Sequence, residues 1–200
     1  MTYDLAKLGI EKGLQYECIT TTISRDGVKN AGAFTFIHLG GDRVRCQIYD
    51  GSKTLKNILD TNEYVVNITQ NPLVFTDATL DCLGDEYYTP DSDIAIIKDA
   101  AAYIIIDVEN FQVKGDSSIH LIDGKIREVV VNDESVQAYN RGMSGLIEGL
   151  VNFSRYKIVD DAKRKEYMDR LIENQCIIEK VSNEKTKKAM ADLRAEYERN

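Results

Sequence analysis

The amino-acid sequence predicts an α+β fold in which a mostly antiparallel β-barrel precedes a helical subdomain. Short runs of β-branched and aromatic residues, separated by glycine-containing turns, fill residues 16–131 and are typical of antiparallel strands. After residue 133 the spacing of apolar residues changes from two to about 3.6, the period of an α-helix. We therefore predict a barrel in residues 1–133 and a helical subdomain in residues 134–200 that packs on the barrel.

Turn signals separate the predicted strands. Asp26-Gly27 and Gly40-Gly41 mark two reversals of the chain. Asp123-Gly124 is the clearest two-residue hairpin signal, so we expect another turn there. The predicted strands cover residues 16–23, 31–39, 43–49, 63–69, 100–113, 118–122 and 125–131.

Helices are predicted where apolar residues recur at helical spacing after a capping residue. In the first half, one helix follows Ser52 and another begins at Asn71-Pro72. The acidic segment 83–93 is predicted to be an exposed loop. The helix that begins at Asn71-Pro72 is predicted to have an apolar side made of Leu73, Phe75, Ala78 and Leu80.

Three further helices are predicted after residue 133. The first spans residues 136–153, and its glycines at 142, 145 and 149 each reduce helix propensity by about 1 kcal/mol relative to alanine. Because they lie on one side, we expect another backbone or a ligand to pack there. The next helix begins at Asp160, and either Ser182 or Asn183 caps the last.

Charge and cysteine content exclude several classes of function. The net charge of -8 disfavours binding to a nucleic-acid backbone or to an anionic membrane. No leader pattern and no membrane-length apolar run is present, so we expect a cytoplasmic protein. The four cysteines are widely spaced and predict free, buried thiols rather than disulfides or a metal site.

One stretch, residues 49–58, has the features of a phosphate-binding site. An apolar strand ends at Tyr49, Gly51 permits a tight turn, and Ser52 can cap the helix that follows. The free N–H groups and the dipole at such a helix start attract anions. Lys53, Thr54, Lys56 and Asn57 add positive charge and polar groups. The alternative is an ordinary capped surface helix.

Motifs for a specific reaction are missing. The sequence contains no Gly-x-Ser-x-Gly, no His-Glu-x-x-His and no P-loop spacing. His38 and His120 lie in strand patterns, where a histidine can be a base or simply structural. The sequence therefore indicates a binding site more clearly than a reaction, and the catalytic residues are unknown.

A series of motifs in fixed order resembles the FMN-binding split barrels related to flavin reductases. The resemblance covers most of residues 16–70 and, more loosely, residues 135–160, where Glu148 to Arg155 resembles an archaeal branch of unassigned function. The motifs are Thr20-Thr21-Thr22, Asp26-Gly27, Asn30-Ala31, Tyr49-x-Gly51-Ser52-x-Thr54-x-x-Asn57-Ile58, Thr61 and Val65-Val66-Asn67-Ile68-Thr69.

The resemblance implies a six-stranded Greek-key split barrel that forms a homodimer, with FMN in a groove between the subunits. It implies that the phosphate is held by the segment that contains Gly51, Ser52, Lys53, Thr54 and Asn57. The residues implied to border the ring and ribityl chain are Thr20, Thr21, Thr22, Asn30, Ala31, Gly32 and Ala33. Arg155 is implied to reach the phosphate or the partner subunit.

The sequence departs from the family pattern at one place. Relatives have a small residue, proline, an apolar residue and glycine after Asn30-Ala31, whereas this chain has Gly32-Ala33-Phe34-Thr35. Three functions remain open: a redox protein of the flavin reductase type, a non-catalytic flavin-binding or carrier module, and a barrel without flavin that acts through its helices. Each leaves the small-molecule substrate unknown.

Overall fold

The computed structural model describes residues 4–199. Within them the chain forms two compact units, which divide after Tyr139. The sequence predicted the boundary between the barrel and the helical subdomain at residue 133, whereas in the structure residues 134–139 belong to the first unit. The N–H of Ala138 donates to Leu8 O (2.8 Å), and the N–H of Glu17 donates to Tyr139 O (2.8 Å). These bonds explain why the first unit extends beyond the last strand.

A closed antiparallel β-barrel forms the first unit. Within the described residues its six strands lie in the order β1-β2-β3-β6-β5-β4. Because β4 pairs with β1 while β1, β2 and β3 are consecutive neighbours, the topology is a Greek key. The predicted α+β class and the Greek-key split barrel are therefore confirmed. The strands are β1 (Gln15–Ile23), β2 (Lys29–Gly40), β3 (Arg43–Tyr49), β4 (Glu63–Ile68), β5 (Ala102–Val113) and β6 (Ile119–Val131).

Two helices connect the strands of this unit. Helix α1 (Lys53–Thr61) joins β3 to β4, and helix α2 (Pro72–Thr79) follows β4. Short 3-10 turns occur at Leu5–Leu8 and Asp85–Tyr87. Both α-helices begin at the predicted caps, since the Ser52 and Asn71 side chains accept hydrogen bonds from the N–H groups of the first turn.

The barrel core follows from the two-residue period of the strands. Val44, Cys46 and Ile48 point inward from β3 and are fully buried, whereas the residues between them are more exposed. Leu55 and Ile58 of α1 belong to the same cluster. A second apolar cluster lies on the other side of β1 and includes Ile19, Ala31, Val74, Ala78, Tyr88 and Ile97. Strand β1 is therefore buried on both faces.

The hairpin predicted at Asp123-Gly124 is wrong, because both residues lie inside the continuous strand β6. A Cβ atom added to Gly124 would lie 2.7 Å from the backbone oxygen of Asp107, so only glycine allows β5 to approach this closely. The β5–β6 register shifts on either side of this point. The chain reverses instead at residues 114–118, where Gly115 has φ +56.

Two expectations for the segment after β4 also need correction. Val74 and Ala78 form the buried side of α2, while Leu73 and Leu80 are exposed. The segment 83–93 is not simply an exposed loop, because Tyr88 is buried and pairs with Ile97 as an isolated bridge. Apolar residues in the second cluster hold this segment against the barrel.

The second unit contains three helices in the described residues: α3 (Gly142–Phe153), α4 (Asp161–Val181) and α5 (Glu184–Arg199). Helix α3 begins six residues later than the predicted residue 136. Its glycines allow a close approach, but side chains rather than a backbone or a ligand pack against them: a Cβ added to Gly149 would lie 3.0 Å from Leu193 Cδ2 of α5. Tyr197 donates a hydrogen bond to Gly149 O (2.9 Å). Asn183 rather than Ser182 caps α5, since Asn183 Oδ1 accepts from Thr186 N.

All four cysteines are free, as predicted. Only Cys18 and Cys46 are buried; the expectation of buried thiols is wrong for Cys82 and Cys176, which are exposed. In residues 4–199 no group of three or more His, Cys, Asp or Glu residues is arranged to hold a metal ion. None of the described helices combines the length and apolar character needed to span a membrane.

Candidate functional site

The start of α1 is built to leave backbone donors available. Gly51 has φ +75, which turns the chain from β3 toward the helix. Ser52 Oγ accepts the N–H of Leu55 (3.1 Å), and the first backbone bond of the helix runs from Lys56 N to Ser52 O. The N–H groups of Lys53 and Thr54 precede that bond, so no helix carbonyl accepts from them. This geometry suits an anion.

Strand β2 positions α1 from one side. Asn30 Nδ2 donates to Thr54 Oγ1 (2.8 Å), and a Cβ added to Gly32 would lie 3.2 Å from the same oxygen. Such a Cβ would also collide with the Phe34 ring. The Thr54 hydroxyl accepts from Asn30 and can still donate its O–H, but the side chain is buried, which limits its access to a ligand. Thr54 therefore offers a ligand its N–H more readily than its hydroxyl.

Strand β1 holds the same buried face of α1 one turn further along. Asn57 Nδ2 donates to Thr22 Oγ1 (3.0 Å), so the two buried side chains join the helix to the barrel. Thr20 lies inside the barrel, where its Oγ1 is 3.5 Å from Cys46 Sγ. Thr21 faces the opposite side and donates to Ala95 O. The three threonines are thus engaged with the protein itself.

The sequence reasoning missed the structural role of Asn67. This buried amide on β4 donates to Ile19 O (3.0 Å) and Thr21 Oγ1 (2.9 Å), and its Oδ1 accepts the N–H of Ile97 (2.9 Å). With the Thr21–Ala95 bond, these contacts fix the segment that precedes β5. The sequence signal was an asparagine within an otherwise apolar strand, where an unpaired amide would be costly.

A cleft of about 510 Å³ opens beside the start of α1; we call it the α1 cleft. Of the predicted site residues it is lined by Asn30, Ala31, Lys53 and Asn57, together with Lys56. A neighbouring cleft of about 820 Å³ shares Val28, Lys29 and Tyr88 with it. Both volumes lie in the range of small-molecule sites.

Several cations surround the α1 cleft in this otherwise acidic chain. Lys53 Nζ forms an ion pair with Asp81, and Lys29 Nζ donates to Thr89 O (3.1 Å). Lys29 Nζ also lies 5.5 Å from the centre of the Tyr88 ring. Burial, reinforced by neighbouring carboxylates, raises the pKa of Tyr88 to about 12, so this wall is a neutral phenol at pH 7.

The remaining predicted site residues lie elsewhere. Gly51 forms the turn, and Gly32 lies behind the cleft against Thr54. Ala33 packs on the second apolar cluster. Arg155 belongs to the second unit, between α3 and α4, so its contact with a phosphate or a partner stays a prediction.

Among the residues lining the α1 cleft that sequence reasoning missed are Lys29, Asp81 and Tyr88. The last two lie in or beside the segment interpreted as an exposed acidic loop. A tyrosine pair at positions 87 and 88 within that acidic segment was the available signal for a buried anchor.

Two family models match the chain. The N-terminal domain of the family described as "Protein of unknown function (DUF447)" matches residues 16–133, and a second DUF447 model matches residues 140–195. This chain belongs to the DUF447 family.

Solved structures show the same fold. An FMN-bound DUF447 protein from Methanosarcina mazei is 21% identical, with a TM-score of 0.57 over 97% of this chain and 100% of that chain. A flavin reductase-type split barrel from Shewanella frigidimarina is 21% identical, with a TM-score of 0.51 over 62% and 71% of the two chains. The flavin reductase of styrene monooxygenase from Pseudomonas putida is 12% identical, with a TM-score of 0.50 over 64% and 85%. The resemblance to flavin reductase-like split barrels is therefore confirmed for this DUF447 chain.

Replacing Asn67 by leucine should destabilise the DUF447 barrel by at least about 2 kcal/mol, because the buried Ile97 N–H and Ile19 C=O lose a partner and each unpaired group costs about 1–3 kcal/mol. Urea unfolding followed by circular dichroism measures the change. Asn110→Leu on β5 is the matched control: Asn110 is exposed, so its replacement should change stability by no more than about 0.5 kcal/mol. Equal effects of the two substitutions would contradict the assigned role of Asn67.

Proposed function

We propose that this protein binds FMN in the α1 cleft, with the phosphate at the start of α1. The observation that carries the proposal is the pair of backbone N–H groups on Lys53 and Thr54, which face an anion site made by the Gly51 turn and the Ser52 cap. Lys53 and Lys56 add two positive charges to that cleft. The Methanosarcina mazei protein of the same family and fold, which is FMN-bound, supports the choice of ligand.

The residues present fit this cofactor. The phosphate would meet the helix N-terminus and the lysines, while Asn30 and Ala31 line the cleft beyond them and can border the ribityl chain or ring. Tyr88 and the stem of Lys29 give the wall a partly apolar character. The flavin, when bound, supplies electron and hydride transfer, and the protein orients it and limits solvent access.

The reaction type that we favour is a redox reaction of the flavin reductase type, with an unknown substrate. Flavin reductases share the fold, which supports this choice over a non-catalytic flavin carrier. Among the described residues that line the two clefts there is no histidine or cysteine. The non-catalytic carrier therefore stays as the second candidate, since neither a histidine nor a cysteine among these described lining residues is available as an acid or base.

We further propose a homodimer that places FMN at the subunit interface. The end of the β5–β6 hairpin exposes apolar side chains, and the strand register places Phe111 and Val113 on one face of the sheet, beside Ile122 and His120. Phe111 and Val113 are 56% and 53% exposed. An exposed apolar patch of this kind is typical of an interaction surface. Four free cysteines fit a reducing compartment, so we propose the cytoplasm as its location.

Replacing Ser52 and Thr54 together by alanine should lower FMN affinity by at least about tenfold, because the helix start loses its cap and its link to Asn30. Fluorescence titration of free flavin measures the change. Riboflavin lacks the phosphate, so its affinity should change much less, which makes it the matched control ligand. Equal losses for both ligands would place the phosphate elsewhere.

We expect NADH and NADPH to reduce the bound flavin slowly, well below the typical enzyme rate of about 10 s⁻¹. The neighbouring cleft carries Asp85, Glu86 and Asp91, which repel dinucleotide phosphates. The aromatic rings of Phe34 and Phe36 do not contribute, because Phe34 packs on the barrel core and Phe36 is buried in it. Anaerobic stopped-flow absorbance measures the rate at which the bound flavin is reduced. Reduction at about 10 s⁻¹ would contradict this expectation and favour flavin reductase activity as the main function.

The protein should elute as a particle containing two chains of 22.6 kDa in size-exclusion chromatography with light scattering. Phe111→Glu should shift it toward monomer, because a charge would enter the exposed apolar patch. Leu73→Glu is the control, since Leu73 is equally exposed but lies on α2. A monomeric wild-type protein that still binds FMN tightly would contradict the dimer.

A further inference from the structure

The anion site at α1 already contains a carboxylate of the protein. Lys53, the first residue of α1, forms an ion pair with Asp81, which follows α2. Both residues line the α1 cleft. The Lys53 ammonium that would hold a ligand phosphate is therefore already paired with Asp81.

This ion pair is suited to exchange. The side chains of Lys53 and Asp81 are 68% and 59% exposed, and ion pairs this exposed contribute little to stability. At pH 7 a phosphate monoester carries roughly 1.5–2 negative charges, whereas a carboxylate carries one. An incoming phosphate can thus displace Asp81 from Lys53 with a net electrostatic gain.

We propose that Asp81 limits the affinity of the α1 cleft for phosphate-bearing ligands by competing for Lys53. The inference rests on the proposed FMN site and adds a residue that sets its specificity. A ligand with a phosphate must break the Lys53–Asp81 pair, whereas a neutral flavin leaves that pair in place. Asp81 therefore reduces the ratio of FMN affinity to riboflavin affinity. It also keeps bound FMN exchangeable.

The backbone of Asp81 allows a clean test. Asp81 has φ +57, a left-handed conformation that asparagine adopts as readily as aspartate. Asp81→Asn consequently removes the charge with little change in backbone strain. Asp26 provides the matched control, because it lines the same cleft, is exposed, and has no ion pair within the described part of the chain.

The experiment compares FMN and riboflavin dissociation constants for wild type, Asp81→Asn, Asp26→Asn, Lys53→Met and the Lys53→Met/Asp81→Asn double variant. Asp81→Asn should tighten FMN binding by about two- to fivefold, the range that one exposed ion pair spans, and should leave riboflavin unchanged. Asp26→Asn should have a smaller effect. In the Lys53→Met background, Asp81→Asn should no longer improve binding beyond the Asp26→Asn effect.

The possible failures are distinct. FMN binding by wild type that Asp81→Asn does not tighten, or tightens no more than Asp26→Asn does, overturns the inference and leaves the FMN site intact. An Asp81→Asn effect that persists without Lys53 also overturns it, because the competition would then not involve that lysine. No FMN binding by any variant overturns the proposed function, and the inference fails with it.

Discussion

The candidate site depends on the hydrogen bonds that fix α1 against the barrel. Asn30 reaches α1 from β2, and Thr22 accepts from Asn57 on α1. Thr54 and Asn57 lie one turn apart on the buried face of α1, so the two bonds fix that face against the barrel and set the rotation of the helix. Because the donors at the helix start are backbone N–H groups, their direction is set by the helix itself. A ligand phosphate would then meet groups that need no rearrangement.

The same arrangement explains how an acidic protein can hold an anion. The chain has a net charge of -8, yet Lys29, Lys53 and Lys56 all line the α1 cleft. Asp81 forms an ion pair with one of them, Lys53. Total charge therefore disfavours extended anionic surfaces such as a nucleic-acid backbone, while the local field at α1 still favours a compact phosphate.

Much of the fold was predictable, because local signals and tertiary structure agree there. The Ser52 and Asn71 caps, the first four strands and the change of period near residue 133 depend on the residues concerned and their near neighbours. Gly124 is an example in which local signals fail. Its lack of a side chain allows β5 to approach closely, and a local motif does not indicate such a contact between distant segments. Tyr88 was missed for the same reason, since its burial depends on an apolar cluster assembled from distant segments.

The candidate site divides in a similar way. Backbone features of the Gly51 turn followed directly from residue type, and Lys53 and Lys56 were evident from their positions in the same segment. Predicted ring contacts from Thr20 and Thr21 were less accessible to sequence reasoning. Their side chains alternate between the barrel interior and the segment before β5, and both find partners within the protein. A sequence motif identifies such residues, but it does not show toward which face of the strand each side chain points.

A crystal structure of the protein soaked with FMN tests the central claim most directly. The account predicts phosphate density within hydrogen-bond distance of the N–H groups of Lys53 and Thr54, with Lys53 Nζ turned from Asp81 toward the phosphate. Density for FMN in another cleft, or in the α1 cleft with the ring rather than the phosphate at the helix start, would contradict it.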